Sequence, residues 1–105
     1  MHIINISVPD MNDSYSTVTL NSIVYRIRFT WNDTAQRWHF GLYTRQREPI
    51  AVGIKLVPHF PLNMQVADKR FPVGMFGVQT NQTVIGRNDF INGKAIFSFI
   101  SGVKT

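Results

Sequence analysis

Between Ile23 and Trp31 a large apolar residue recurs at every second position, and this run constrains the chain more than any other feature. Ile23, Tyr25, Ile27, Phe29 and Trp31 fall on one parity and Arg26, Arg28 and Thr30 on the other, the signature of a strand with one buried face. A second run follows, with Trp38, Phe40 and Leu42 alternating with His39, Gly41 and Tyr43, and Asn32 to Arg37 between the two carries turn chemistry. Opposing Trp31 to Trp38 also opposes Phe29 to Phe40 and Ile27 to Leu42, so one register places both apolar sets on one face. A slip of one residue would destroy that agreement. A hairpin is therefore expected, joined after Arg45 to Pro49 by a third strand with Ile50, Val52, Ile54 and Leu56 on one face. Continuing the register pairs Leu42 with Val52, Phe40 with Ile54 and Trp38 with Leu56, which makes a three-stranded meander.

Further strands are expected at His2 to Ser7, Tyr15 to Leu20, Val73 to Thr80 and Ala95 to Ser101. In the last, Ala95, Phe97 and Phe99 alternate with Ile96, Ser98 and Ile100, so both faces are apolar, which suits cover by a second sheet and by a neighbouring chain. From Pro58 to Pro72 three prolines interrupt the pattern, and Leu62 and Val66 allow one short helical turn in a long loop. Gln79 to Gly93, rich in Asn and Gly, reads as a second loop with a short strand near Val84. With 105 residues there is room for one domain, residues 1–105. Its class is all-β, an antiparallel barrel or a sandwich.

Chemistry is hard to find in this chain. It has no cysteine, which excludes disulfides, thiolate metal sites and thiol nucleophiles. Asp10, Asp13, Asp33, Glu48, Asp68 and Asp89 fall in or beside expected turns, where carboxylates cap or are solvated. His2, His39 and His59 are far apart and match no metal-ligand spacing; His39 is expected on the exposed face of its strand. Gly74 and Gly77 interrupt a strand, marking a bulge or a close backbone approach, and lack the lysine and helix of a phosphate loop. No catalytic, cofactor or metal residues are assigned. Residues 1–10 lack a secretory pattern and no run of 18 apolar residues occurs, so folding in a cytoplasm and no membrane contact are expected. The Asn-x-Ser/Thr matches at Asn5, Asn12, Asn32 and Asn81 are read as chance.

Eleven Lys and Arg against six acids give a formal charge of +5. Arg26, Arg28, Arg37, Arg45 and Arg47 can gather on the outer face and tips of the meander near Tyr43. Such a patch is read first as a solvated face that resists edge pairing, ahead of single-stranded nucleic acid on an OB-like barrel as the alternative, with docking to an acidic protein as a third reading. Phe60, Phe71 and Phe76, in or beside irregular segments, are candidate interface anchors together with Arg26, Arg28, Arg45 and Arg47.

The segment Trp31-Asn32, then Trp38 and Leu42-Tyr43, then Gly53-Ile54-Lys55-Leu56-Val57-Pro58 resembles the small phage baseplate plug proteins. The likeness covers about residues 3 to 58 and continues as an outline of loop, strand, Asn88-Asp89 turn and closing strand. Members often carry a more acidic, Gly-rich stretch before that last strand, where this chain has Arg87 and Lys94. The resemblance implies a structural, non-enzymatic virion protein of a tail baseplate, assembled in the bacterial host cytoplasm. It also implies three copies that contact tube, hub or spike proteins, with nucleic acid ranked behind protein as a partner.

Overall fold

The computed structural model describes residues 2–58, 62, 66 and 68–102. Seven strands run β1 (His2–Ile6), β2 (Asp13–Leu20), β3 (Ile23–Asn32), β4 (Arg37–Thr44), β5 (Pro49–Lys55), β6 (Gly74–Thr80) and β7 (Ala95–Ser101). They form two separate antiparallel sheets, ordered β1-β7-β6 and β2-β3-β4-β5. Because the sheets pack face to face without closing, the fold is a sandwich and not a barrel. Among the described residues there is no helix.

The meander gains β2 as a fourth strand. Leu20 pairs with Ile23 across Asn21 and Ser22, whose φ values of 54° and 65° are those of a two-residue turn matched to strand twist. In the next hairpin Trp31 faces Trp38, Phe29 faces Phe40 and Ile27 faces Leu42, the register the apolar alternation dictates. At β5 the expectation fails in part. Phe40 pairs with Ile54, but Leu42 meets Ala51 and Tyr43 meets Pro49. The strand thus carries extra residues, with Gly53 at φ 67° taking a conformation other side chains resist. The bulge turns Val52 outward, 55% exposed, while Ile50 and Ala51 stay buried.

The core lies between the sheets, where Phe29 and Phe40 from one meet Phe76, Phe97 and Phe99 from the other. Phe76 and Phe97 stack with centroids 5.6 Å apart and planes 8° from parallel; Phe29 meets Phe97 edge-on at 5.6 Å. Gly74, at φ 155°, lets β6 pass close to β7, since a Cβ there would run into the Ile100 carbonyl and the Phe99 ring. This is the close approach expected for Gly74.

Residues 81–94 form turns and no strand at Val84, which is 65% exposed while Ile85 is buried. The Asp89 carboxylate accepts from the Gly86 amide at 2.7 Å, and its carbonyl accepts from Lys94 and Ala95, so turn closure outcompetes strand pairing. The one-turn helix suggested around Leu62 and Val66 lies outside the described residues, although Leu62 itself is buried and donates its amide to the Phe76 carbonyl at 2.7 Å.

Candidate interaction surfaces

A sandwich has two outer faces, and strand parity decides what each displays. On the β1-β7-β6 sheet the inward residues are Ile4, Ile6, Phe97, Phe99, Phe76 and Val78. The outward ones are Ile3, Asn5, Ile96, Ser98, Ile100, Met75, Gly77 and Gln79, none of them charged. Ile3 faces Ile100, which faces Met75, in one row. In the next row Ser98 stands between Asn5 and Gly77; Ser98 Oγ donates to Asn5 Oδ1 at 2.8 Å and accepts from Gln79 Nε2 at 3.0 Å, which reaches across from the row of Ile96. These neighbours cover Ser98 completely, while Ile3 is 57% and Ile96 39% exposed. The inner face of β7 is thus covered by the second sheet as expected, and its outer face keeps apolar groups in contact with water.

The outer face of the β2-β3-β4-β5 sheet has the opposite character. Arg26 stands between Thr17 and Tyr43, Arg28 between Tyr15 and Gly41, and Thr30 between Asp13 and His39, which is followed by Lys55. Asp13 begins β2 instead of capping a turn, and its carboxylate accepts two bonds from Arg28, at 2.8 and 2.6 Å. That pair holds the Asp13 carboxyl below its ordinary value and the Arg28 guanidinium above its own. Arg28 also lies over the Tyr15 ring, 5.4 Å from its centroid, and Tyr15 meets Tyr43 at 6.0 Å. The Tyr43 ring rests against Gly41, where a Cβ would sit 3.1 Å from it. His39 stands on the outer face of its strand, as expected, and is half-buried there by its neighbours. Its desolvation, then Lys55 and Arg37, lower its proton affinity.

Of the residues expected at an interface, Arg26 and Arg28 share this face. Arg45 and Arg47 sit in the β4–β5 turn, with Arg26 Nε donating to the Arg45 carbonyl at 3.3 Å. Phe71 is half-buried and packs edge-on to Phe76 at 5.7 Å. Phe76 is 1% exposed; with rings from both sheets around it, its surface belongs to the core and is withdrawn from the interface set. Phe60 lies outside the described residues. Tyr15, Lys55 and the uncharged face around Ile3 and Met75 were missed. Lys55 opposite His39 follows from the same β4–β5 register that pairs Phe40 with Ile54, so the signal for it was present.

A cleft of about 500 Å³ opens between the β2–β3 and β4–β5 turns, beside Ile23, Tyr25, Ile50 and Arg70. Two of its polar side chains are engaged within the chain: the Tyr25 hydroxyl donates to the Arg70 carbonyl at 3.1 Å, and Arg70 Nη2 donates to Asp68 and to the Pro49 carbonyl. Among the described residues no three His, Asp or Glu side chains gather as a metal site.

A two-sheet module of this size, with one cationic and one uncharged outer face, belongs to the class of small all-β sandwich proteins. Over residues 1–101 the chain matches the family model described as cyanophage baseplate Pam3 plug gp18, and it belongs to that family. Its role is therefore structural, in the phage tail baseplate among other baseplate components. No curated protein matches the chain.

Proposed function

We propose that the chain is a non-enzymatic, plug-like assembly module that packs against tube, hub or spike proteins of the baseplate. Three copies act together, and assembly takes place in the cytoplasm of the bacterial host. The observation that supports this reading is the uncharged outer face of β1-β7-β6, where Ile3 remains exposed beside Ile100 and Ile96 remains exposed two rows farther along β7. Exposed apolar residues grouped on a regular sheet are typical of surfaces that another protein covers. Phe71 and the arginines Arg26, Arg28, Arg45 and Arg47 extend the proposed contact set.

The test is an Ile3→Asp/Ile96→Asp variant, followed by light scattering of the purified chain and by quantifying it in assembled tail particles. The wild type is expected to enter the particles as three copies. The variant is expected to fold, with an unfolding temperature within a few degrees of wild type, yet to be depleted from particles. Normal incorporation of a folded variant would remove this face from the contact set; absence of the wild type from particles would reject the whole reading.

A further inference from the structure

Cations on the outer face of β2-β3-β4-β5 occupy four successive rows. Arg26 stands beside Tyr43, Arg28 beside Gly41, Lys55 beside His39 and Arg37 beside Asn32, a stripe of about 20 Å at two residues per row. The only carboxylate in those rows, Asp13, is used up by Arg28, which it binds through both oxygens. Among the described residues no carboxylate lies within ion-pair distance of Arg26, Arg37 or Lys55. Three like charges thus stand on one face of a chain whose formal charge is +5, an arrangement that repels itself unless something neutralises it.

We propose that this face docks a carboxylate-bearing surface of another baseplate protein, with Arg26, Arg37 and Lys55 as pairing groups around the fixed Tyr15–Arg28–Tyr43 cluster. The inference rests on the assembly reading above and adds the chemistry of the partner. The aromatic side chains decide between protein and nucleic acid. A single strand needs open ring faces on which bases stack. Here Arg28 covers a face of Tyr15, and the Tyr43 ring lies against Gly41. These rings stiffen the surface, and with Tyr15, 56% exposed, already carrying Arg28 on one face, they do not offer the series of open faces on which successive bases stack. Guanidinium forks and a lysine ammonium on a paired sheet suit carboxylates, and the backbone that carries them is already fixed by strand pairing.

The exposed Lys55 amine makes the proposal directly testable. Tail particles containing the full chain are treated with a carbodiimide, which joins an amine to a carboxylate only where the two touch, and the linked peptides are identified by mass spectrometry. In parallel, an Arg26→Glu/Arg37→Glu variant is checked for unchanged thermal unfolding and quantified in particles. The expected result is Lys55 joined to an Asp or Glu of another baseplate protein, with incorporation of the variant reduced about tenfold or more. Normal incorporation of the variant, or Lys55 links confined to the chain's own carboxylates, overturns the docking face and leaves the baseplate reading standing. Absence of the wild-type chain from particles overturns both. If the purified wild type binds a 15-nucleotide thymidine strand at low salt and the variant does not, the face belongs to nucleic acid and the proposal fails.

Discussion

Phe76→Ala separates a core role from an interface role. The Phe76 ring touches four others, with centroids 5.2 Å from Phe40, 5.7 Å from Phe71, 5.6 Å from Phe97 and 4.9 Å from Phe99. Truncating a buried Phe costs about 3–5 kcal/mol, more where the site cannot collapse. Phe40, Phe97 and Phe99 are fixed by strand pairing on two sheets, which argues for the upper half; Phe71, outside the strands, can lean in and recover part. The loss is therefore about 4 kcal/mol, against a total of roughly 5–15 kcal/mol for a chain of this size. That corresponds to a fall in Tm of roughly 15–25 °C. Urea unfolding followed by the fluorescence of Trp31 and Trp38 measures it, and an unchanged slope shows that the unfolded state is not the cause. Phe76→Leu, expected to lose about 1–2 kcal/mol, provides a point on the scale in case the alanine variant does not fold. A folded Phe76→Ala protein losing less than about 1 kcal/mol, yet failing to enter tail particles, would refute the core assignment.

Gly74→Ala should destabilise by about 2 kcal/mol or more, because its methyl would meet the Ile100 carbonyl and the Phe99 ring at a positive φ; unfolding at equilibrium reads this, and near-wild-type stability would mean that β6 and β7 are farther apart. Arg87 lies over Trp38 at 5.1 Å and binds Asn12 Oδ1 at 2.7 Å and Asp10 at 3.2 Å, so Arg87→Ala should cost about 2 kcal/mol and speed amide exchange in residues 86–94, whereas unaltered exchange would show that the loop holds itself. His39 has its proton affinity lowered in the folded state, first by burial and then by Lys55 and Arg37. Its contribution is therefore fully present above the unfolded value of 6.5 and is lost as pH falls through the lower folded value. His39→Gln should flatten that acid limb, and an identical pH profile in the variant would assign the limb to other groups.

What could be read from the sequence depended on how many independent signals agreed. In β3–β4 the apolar parity and the turn length specify the same register, and the pairing of Trp31 with Trp38 follows. For β2–β3 both strands were legible but their pairing was not, because the turn uses Asn21 and Ser22 at positive φ where glycine is the usual marker. Strict alternation was carried too far through β5, since parity cannot register the residues that Gly53 and its bulge insert. At Val84-Ile85 an apolar pair suggested a strand, while the Asp89 carboxylate, three residues beyond Gly86, closes a turn. The pairing of β1 with β7 joins the two ends of the described chain, and no local pattern encodes so distant a contact. Arg26 and Arg28 were placed on an outer face by the parity of β3 alone, but Tyr15 reached them only through the unread turn. Phe76 was assigned to an interface because it stands near a loop, although its parity with Gly74 and Val78 already turned it inward.

Parity also explains why the two outer faces differ so sharply. Solubility alone would be served by charges of both signs scattered over both sheets. Instead β3, β4 and β5 place Arg26, Arg28, Arg37 and Lys55 outward, while β1, β6 and β7 place eight uncharged residues outward. The same alternation that buries Phe29, Phe40, Phe76 and Phe97 between the sheets thus gives the module two unlike sides. Binding through the uncharged face draws on area removed from water, which salt strengthens or leaves alone, whereas binding through the cationic face weakens as salt screens its charges. The two contacts are therefore separable in one experiment: dissociating tail particles at rising salt should release the contact made through Arg26, Arg37 and Lys55 first and leave the contact made through Ile3 and Ile96 in place.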